Sequence, residues 1–422
     1  MLDQLILDKQ VPMGFTDLFL EEAARHQWLA ETLRTHFALW GYVPVMPPTV
    51  AYAEGLAVEL GSQMAQDMYR FFDRQGRTLA LRADLTLPVA RIVGTRLYEQ
   101  PLPLRLFYVG QVFRHISPQR GQRREFTQAG VELVGAGTPQ ADAEVVALAA
   151  RALQAVGVQD IQLALGEMGF FRTLMTRIAL SEGQVTRLKL AIDRRNDAHL
   201  CAVLDDLGLE RPMYDLLRAL PGLVGGCEGA KWAAVERARQ LAPPGPAQAV
   251  LDRLQAVLDQ LVAFGLEDLI LVDLGEVRGM EYYTGLVFQG YAAGVGVALC
   301  SGGRYDHLIG HFGPDLPAVG FAMDVGLVRL AAAPPADLRP DAVVQGCAHA
   351  RCLQAVEQMR ARGLRVVVDT LGRSGEELVS YARQRGARAV CCREPGCWQI
   401  VDRDGRRRQI DIDKVDDEIA QW

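Results

Sequence analysis

The sequence predicts an α+β fold with a strand-rich first part, a helical segment inserted into it, and a small α/β domain at the end. Strand-like apolar runs recur in the first part, as at Leu104–Val112 and Phe126–Val134. From about Phe170 to Gly265 the composition becomes rich in Ala, Leu and Arg, with few strand signals, which favours helices. From residue 341 onward short strands alternate with helices, an order typical of a largely parallel sheet.

Length and composition limit the class of protein and its partners. The 422 residues are too many for one ordinary core, so two or three domains are expected. A net charge of −6 provides no global basic field for nucleic acid, although a local basic patch is compatible with it. The chain has no run of 18 apolar residues, and its first ten residues lack the order of a signal peptide. We therefore expect a cytoplasmic protein with no membrane segment and no nucleic-acid partner.

The eight cysteines show no tandem Cys-x-x-Cys pairs, which most zinc sites use. Cys391, Cys392 and Cys397 lie closest together in sequence, but no second cluster or nearby histidine accompanies them. Reduced, mostly buried thiols are the expectation. We predict neither a metal site nor a cofactor.

The first regular element is a helix over Glu21–Leu39, in which Leu29, Leu33 and Phe37 recur every four residues. Gly41 ends it, and Tyr42–Pro48 has the pattern of a strand that stops at two prolines. Such a helix and strand either face a dimer partner or pack within their own domain.

A hairpin is predicted next, with strands Met68–Phe72 and Leu79–Leu81 joined across Asp73–Gly76. It leads into a helix that begins near Asp84 and Thr86. One interpretation is that both residues cap this helix, since the first backbone N–H groups of a helix need acceptors. In the other, the Asp84 carboxylate pairs with the ammonium group of a ligand.

The strand Phe126–Val134 places two polar side chains on one face. Residues alternate between the faces of a strand, so Gln128 and Glu132 point the same way, separated by Gly130. An amide and a carboxylate above a glycine suit an amino-acid pocket. A solvent-facing sheet edge would explain the same pattern.

The stretch from Leu271 to Asp306 has three strand-like runs, Leu271–Leu274, Leu286–Tyr291 and Val295–Cys300, broken at glycines. The polar residues beside these breaks are Arg278, Glu281, Tyr282, Tyr283, Arg304, Tyr305 and Asp306. They form either a lining for a small zwitterion or the solvated ends of a hairpin. Helices are predicted at Asp142–Val156 and Val319–Leu330.

The segment Ala331–Pro340, AAAPPADLRP, has the composition of a linker. In the domain after it, the predicted strands are Ala342–Gln345, Arg365–Asp369 and Ala389–Cys392, and the predicted helices are Arg351–Arg362 and Gly375–Arg385.

Several motifs together resemble the histidyl-tRNA synthetases, which are class II aminoacyl-tRNA synthetases, over nearly the whole chain. The residues that carry the resemblance are Phe113-Arg114, Gln128-Ala129-Gly130-Val131-Glu132, Val277-Arg278-Gly279-Met280-Glu281-Tyr282-Tyr283-Thr284, Ser301-Gly302-Gly303-Arg304-Tyr305-Asp306, Gly320-Phe321-Ala322-Met323 and Asp369-Thr370-Leu371-Gly372-Arg373-Ser374. The resemblance implies a six-stranded, mainly antiparallel sheet flanked by helices, in a chain that forms a dimer. The implied domains are a synthetase-like, histidine-binding domain over 1–330 with the helical insertion at about 170–265, a linker over 331–340, and an anticodon-binding-like α/β domain over 341–422.

The resemblance also implies a histidine pocket. Its residues in this sequence are Asp84, Thr86, Arg114, Gln128, Glu132, Arg278, Tyr282, Tyr283 and Tyr305. The carboxylates suit the ammonium group of histidine, an arginine suits its carboxylate, and a tyrosine hydroxyl suits the imidazole.

The departures from the synthetase motifs fall on the part that binds ATP. Ile116 stands where synthetases carry a glutamate, and Leu327 stands at the position of the arginine that braces the ATP phosphates. Arg329 follows two residues later, which is about 200° further round a helix. The nucleotide half of the site is thus expected to be lost while the histidine half is kept.

That combination resembles the family of regulatory subunits of short-form ATP phosphoribosyltransferase, as does the run Leu81–Arg91. The resemblance implies a chain without catalytic activity that activates a short-form catalytic subunit in a hetero-octamer, takes part in histidine biosynthesis and senses histidine for feedback. The alternatives are an active histidyl-tRNA synthetase and a free-standing histidine or RNA sensor.

Overall fold

A computed structural model describes residues 10–57, 66–116, 123–228, 231–277, 282–333, 339–394 and 396–414. The chain divides into two compact units, Met1–Pro334 and Pro335–Trp422. No helix in these ranges is both long and apolar enough to cross a lipid bilayer.

The first unit is built on a nine-stranded sheet. Its strands and those of two small sheets are β1 (Val43–Pro44), β2 (Val50–Tyr52), β3 (Arg70–Phe72), β4 (Thr78–Leu81), β5 (Leu104–Phe113), β6 (Glu125–Val134), β7 (Ile161–Glu167), β8 (Val224–Gly225), β9 (Cys227–Glu228), β10 (Lys231–Trp232), β11 (Ile270–Asp273), β12 (Leu286–Ala292), β13 (Cys300–Tyr305) and β14 (Ala318–Asp324). The large sheet has the order β1-β5-β6-β14-β13-β12-β7-β11-β8. The six consecutive strands β5, β6, β14, β13, β12 and β7 pair antiparallel, whereas β1 is parallel to β5 and β11 is parallel to β7. The edge strand β8 pairs antiparallel with β11. The expected six-stranded antiparallel sheet is therefore the centre of a wider mixed sheet.

Helices cover this sheet and surround one helix that is buried nearly all round. The helices of the first unit are α1 (Leu20–Leu39), α2 (Ala53–Ala57), α3 (Thr86–Ile92), α4 (Pro139–Ala155), α5 (Met168–Ile178), α6 (Glu182–Asp193), α7 (Asp197–Leu207), α8 (Arg211–Ala219), α9 (Ala233–Leu241), α10 (Pro246–Ala263) and α11 (Val325–Ala331). In α4, Val145, Leu148 and Leu153 are fully buried. Its many alanines let it pack against the sheet as well as against α1 and α10, as expected for a helix that is apolar on all sides.

The predicted helical segment after Phe170 is confirmed as α5 to α10, but it does not have a core of its own. Leu204, Leu216 and Leu258 belong to the same hydrophobic cluster as Leu29 and Phe37 of α1. The segment also contributes β8 to the edge of the large sheet.

The predictions of α1, α3, β5, β6 and the β3–β4 hairpin are also confirmed, with bounds close to the observed ones. The strand predicted at Tyr42–Pro48 is reduced to β1, and β7 was not predicted. The prediction of a helix over the whole of Val319–Leu330 is wrong in its first half, because β14 occupies that part.

The third strand of the 271–306 stretch begins at Cys300, so the prediction of a strand at Val295–Cys300 is wrong. Gly302 and Gly303, which have the composition of a turn, lie in the middle of β13. A Cβ atom at Gly302 would lie 2.4 Å from the carbonyl oxygen of Gly320. Glycine here permits a close approach of two strands, which the sequence alone does not distinguish from a turn.

The second unit has a five-stranded sheet in the order β16-β15-β17-β18-β19. Its elements are β15 (Ala342–Val344), α12 (Ala350–Ala361), β16 (Val366–Val368), α13 (Gly375–Gln384), β17 (Arg388–Glu394), β18 (Cys397–Val401) and β19 (Arg407–Asp411). The predicted parallel strands and both helices are confirmed. The antiparallel strands β18 and β19 were not predicted. The charged run at Arg406–Arg408 leads into β19 and does not resemble a buried strand, although charge suits an edge strand.

Candidate functional site

Eight of the nine predicted site residues line one cavity of about 100 Å³ in the first unit. They are Asp84, Thr86, Arg114, Gln128, Glu132, Tyr282, Tyr283 and Tyr305. Arg278 lies outside the described residues. Ser301, Gly320, Phe321 and Ala322 complete the lining. A cavity of this size is larger than the space one water needs, about 10–15 Å³, and smaller than drug-sized pockets of about 300 Å³ or more.

Glu132 lies at the centre of the lining on β6 and is 1% exposed. Its carboxylate accepts hydrogen bonds from the hydroxyl groups of Tyr108, at 3.1 Å, and Tyr305. Burial raises the pKa of Glu132 to about 7, although hydrogen bonds from Tyr305, Thr86 and Tyr108 act to lower it. The carboxyl group can therefore change its protonation state near neutral pH.

Gly320 on β14 makes room for this carboxylate. The two residues are directly paired across β6 and β14. A Cβ atom at Gly320 would lie 1.8 Å from Oε2 of Glu132, far inside contact distance. The close approach explains why a glycine stands at this position in the strand.

Tyr108 is a site residue that sequence reasoning missed. It lies on β5 opposite Gly130 of β6, where the absence of a side chain leaves space for the tyrosine ring. Its hydroxyl lies 3.3 Å from Oγ1 of Thr86 and donates to Glu132. The signal was available in principle, because a tyrosine paired with a glycine beside a buried glutamate indicates a polar interior. Recognising it required the register between the two strands.

Asp84 accepts a hydrogen bond at the start of α3 and also faces the cavity, so its position is compatible with both interpretations of its role. Its Oδ1 accepts a hydrogen bond from the backbone N–H of Leu87 at 3.3 Å, in the first turn of α3, and its side chain also lines the cavity. Burial raises the pKa of Asp84, and the positive charge of Arg114 acts in the opposite direction. The carboxylate is 4% exposed, so a ligand cation would meet it away from bulk water.

The backbone around Asp84 is held by two other predicted residues. Gln128 accepts a hydrogen bond from the backbone N–H of Leu85 at 2.8 Å. Arg114 donates from Nε to the carbonyl oxygen of Ala83 at 2.9 Å, and its guanidinium lies 5.1 Å from the ring centre of Phe126. These contacts fix the segment that carries Asp84 and Thr86 against β6.

Three tyrosines form an aromatic wall. The ring centre of Tyr282 lies 4.9 Å from that of Tyr283 and 5.7 Å from that of Tyr305, in edge-to-face arrangements. Loss of solvation raises the pKa of all three phenols well above the ordinary value. The phenols therefore stay neutral and can each donate a hydrogen bond at neutral pH.

Arg304, which the sequence grouped with the polar lining, points to the opposite face of β13. It is 3% exposed, and its Nε donates to Oδ1 of Asp142 on α4 at 2.8 Å. Asp142 also accepts from Arg253 of α10 at 2.6 Å. Successive residues of a strand face opposite ways, so Tyr305 enters the cavity while Arg304 ties the sheet to two helices.

A second cavity, of about 370 Å³, adjoins the first and shares Arg114, Gln128, Ser301 and Ala322 with it. Leu327 lines this cavity. Arg329 does not, and its guanidinium instead lies 3.9 Å from Glu22 of α1, which confirms that it sits on another face of α11. Asp324, at the start of α11, accepts hydrogen bonds from the backbone N–H groups of Gly326 at 2.7 Å and Leu327 at 3.2 Å. The carboxylate thus caps a helix at the edge of the cavity.

Side chains that can hold a metal come together in the second unit. Within the described ranges, the group with suitable spacing is Cys347, Cys352 and Cys392. Cys391 and Cys397, which lie near Cys392 in sequence, are not part of it.

Comparisons with known proteins agree with these observations. A family model described as histidyl-tRNA synthetase matches residues 14–328. The chain is 40% identical over 386 residues to the ATP phosphoribosyltransferase regulatory subunit of Moorella thermoacetica, which covers 90% of this chain and 97% of the relative. It is 36% identical over 389 residues to the regulatory subunit of Geobacter sulfurreducens, with 90% and 87% covered.

Two solved structures share the fold. A Bacillus halodurans protein described as an ATP phosphoribosyltransferase regulatory subunit/histidyl-tRNA synthetase is similar with a TM-score of 0.78 and 31% identity, over 90% of this chain and 97% of that one. A histidyl-tRNA synthetase from a Nostoc species has a TM-score of 0.79 over 98% and 99% of the two chains. At 21% identity, the second likeness concerns the fold alone.

Proposed function

Because the chain belongs to the histidyl-tRNA synthetase-like family of ATP phosphoribosyltransferase regulatory subunits, we propose that it is the regulatory subunit of an ATP phosphoribosyltransferase and binds histidine around Glu132. The observation that carries the proposal is the contrast between two adjoining cavities. One keeps a buried set of carboxylates and tyrosine hydroxyls. The other has leucine where a synthetase has the arginine that braces ATP.

The chemistry of the smaller cavity suits histidine. Asp84 and Glu132 offer two carboxyl groups to an ammonium group, and a bound cation would favour their ionised forms. Arg114 at the rim can pair with the ligand carboxylate, and Arg278 is proposed for the same role. The neutral tyrosines can hydrogen-bond to an imidazole nitrogen.

The chemistry of the larger cavity argues against activation of an amino acid by ATP. In activation the carboxylate of the amino acid attacks the α-phosphorus of ATP and pyrophosphate leaves, a step in which cations stabilise the developing negative charge. Arg114 and Arg123 are in the cavity lining, but Leu327 supplies no cation at the position that braces the phosphates in a synthetase, and the Asp324 carboxylate lies in the same lining. We therefore infer a chain without catalytic activity of its own.

The proposed partner is a short-form ATP phosphoribosyltransferase catalytic subunit, in a hetero-octamer that contains dimers of this chain. In this arrangement the chain acts in histidine biosynthesis and transmits feedback by histidine. Feedback requires that histidine bind the inhibited assembly more tightly than the active one, by a coupling of about 1–3 kcal/mol.

Coexpression with the short catalytic subunit tests the proposal directly. We expect the catalytic subunit to gain ATP phosphoribosyltransferase activity in the presence of this chain and to lose it again when histidine is added. The catalytic subunit alone is the control. Equal activity with and without this chain would contradict the regulatory role, and insensitivity to histidine would contradict the feedback role.

An active histidyl-tRNA synthetase is the second candidate, favoured by the eight predicted residues that line the smaller cavity and by the α/β unit formed by the second part of the chain. Histidine-dependent exchange of pyrophosphate into ATP by the purified chain distinguishes the two. We expect no exchange above background, and robust exchange would overturn the non-catalytic proposal.

A further inference from the structure

Three cysteines that are distant in sequence meet in the second unit. Cys347 follows β15, Cys352 lies in the first turn of α12, and Cys392 lies on β17. Their sulfur atoms all lie within 4.8 Å of one another. The grouping depends on the parallel pairing of β15 with β17, which brings residues about 40 positions apart to the same end of the sheet.

The sulfur spacing fits a metal ion better than a disulfide. The Sγ atoms of Cys352 and Cys392 are 3.9 Å apart, nearly twice the disulfide bond length of about 2.05 Å. Zinc–sulfur bonds of about 2.3 Å at tetrahedral angles place sulfur atoms about 3.8 Å apart. An ion at the centre of the cluster would thus require only a small inward movement of Cys347.

A buried indole provides a second and independent indication of a ligand-binding site. Trp398 on β18 is 1% exposed, and its Nε1–H has no hydrogen-bond partner among the described residues. The side chain that this N–H approaches is that of Cys352, at a geometry short of a regular hydrogen bond. An unsatisfied buried donor costs free energy, and a thiolate held by a metal ion would supply the missing acceptor.

The surroundings also position the ligands. The backbone N–H of Cys392 donates to Oε1 of Gln345 at 3.1 Å, which fixes the strand beside the cluster. Apolar residues such as Met359 and Val390 enclose the buried side. Cys347 and Cys392 are partly exposed, so an ion can reach the site from solvent.

We propose that Cys347, Cys352 and Cys392 bind one thiophilic d10 cation, Zn²⁺ or Cu⁺, through three thiolates. No group is oxidised or reduced in this step; each thiol loses its proton to solvent as its sulfur–metal bond forms. Cu⁺ is satisfied by three sulfur ligands, whereas Zn²⁺ takes a fourth ligand such as water from the exposed side. The site is independent of the proposed regulatory function.

The test uses the full, untagged chain after reduction and removal of metals by a chelator. Zn²⁺ is titrated against a colorimetric chelator, Cu⁺ is titrated in the same way without oxygen, and Co²⁺ serves as a coloured substitute for Zn²⁺. We expect one equivalent per chain of at least one of the first two ions, and thiolate-to-metal charge-transfer absorption with Co²⁺.

Variants locate the site. Cys352→Ser and Cys392→Ser should each remove the charge-transfer band and weaken binding at least 100-fold. Cys397→Ser is the matched control, because this cysteine belongs to the same sheet but lies outside the cluster. Trp398→Phe should keep the band and weaken binding about tenfold, as expected when a residue that supports a ligand loses its hydrogen bond.

A measurement on the unaltered chain guards against variants that fail to fold. The bound ion should protect Cys347, Cys352 and Cys392 from alkylation, as mapped by mass spectrometry, and leave Cys201 reactive. Absence of stoichiometric binding, or equal binding by Cys352→Ser, would overturn the proposal. So would a chain that binds no ion when reduced but forms a Cys352–Cys392 disulfide on mild oxidation.

Discussion

The cavity around Glu132 and the cavity beside Leu327 share Arg114 and Gln128, but their remaining walls differ in chemistry. In the smaller cavity, Tyr108 and Tyr305 each donate a hydrogen bond to the Glu132 carboxylate. In the larger one, the Asp324 carboxylate is engaged by the backbone of α11.

Under the proposed function, this difference separates recognition of an amino acid from nucleotide chemistry within one fold. A buried polar network is costly to break, because each member that loses its partner is left unsatisfied. The polar lining of the smaller cavity therefore contributes to the stability of the fold itself. In the larger cavity, Arg114 and Arg123 remain in the lining, Leu327 is apolar, and Asp324 caps α11. Four predictions test this difference between the two cavities.

The substitution with the largest expected effect is Gly320→Ala. The new Cβ atom would overlap Oε2 of Glu132, so we expect histidine binding to weaken more than 100-fold and the free energy of unfolding to fall by about 1–3 kcal/mol. Calorimetric titration and denaturant unfolding measure the two effects. Gly296→Ala is the control, because a Cβ atom at Gly296 would have no heavy atom of a non-neighbouring residue within 4 Å. Unchanged histidine binding by Gly320→Ala would contradict the proposal that histidine binds in this cavity.

Glu132→Ala should weaken histidine binding by about 2–3 kcal/mol, because it removes a charge-assisted hydrogen bond to the ammonium group. Tyr283→Ala should have a smaller effect in the same direction. In both variants, inhibition of the assembled enzyme by histidine should weaken. Assembly with the catalytic subunit, measured by size-exclusion chromatography, should be unchanged. Full inhibition in both variants would refute this pocket.

The third prediction concerns the pH dependence of the free energy of unfolding. The pKa of Glu132 is raised from 4.5 to about 7, so the folded state binds an extra proton between these values. Its contribution to stability is fully present below about pH 4.5 and is lost as pH rises through 7, by up to about 3 kcal/mol. Burial also raises the pKa of Glu167, to about 8, in the same direction. Comparison of unfolding curves with Glu132→Gln isolates the first group, and identical pH profiles for the two chains would contradict its assignment.

The smallest effect is expected for Asp324→Ala in the other cavity. Loss of the helix cap should lower the free energy of unfolding by about 1 kcal/mol, with histidine affinity unchanged within about twofold. A large loss of histidine affinity would show that the two cavities are not separable.

Local periodicity accounts for the parts of the site that were predictable. The alternation of side chains along β6 placed Gln128 and Glu132 on one face, and the structure brings both to the cavity. The helical rotation between Leu327 and Arg329 correctly separated a cavity residue from one that faces α1. Both inferences depend only on backbone geometry within one element.

The predictions that failed concern contacts between elements. The Gly302–Gly303 pair has the same composition in a turn and in a strand that passes close to another, and only the pairing of β13 with β14 decides between them. The sequence placed Arg304 and Tyr305 in one polar lining. Because both residues lie in β13, the alternation of side chains along a strand puts them on opposite faces.

By itself, the sequence therefore determined most of the long helices and strands and the polar residues on each face of β6, because these depend on local spacing, and its resemblance to the synthetases identified Leu327 as a departure from their motif. Only the tertiary structure decided that Tyr108 and Gly320 complete the setting of Glu132, and that Cys347, Cys352 and Cys392 meet. The physical reason is the same in both cases. Neighbours across a sheet are set by strand register and order, which the burial of the whole core selects and no single segment encodes.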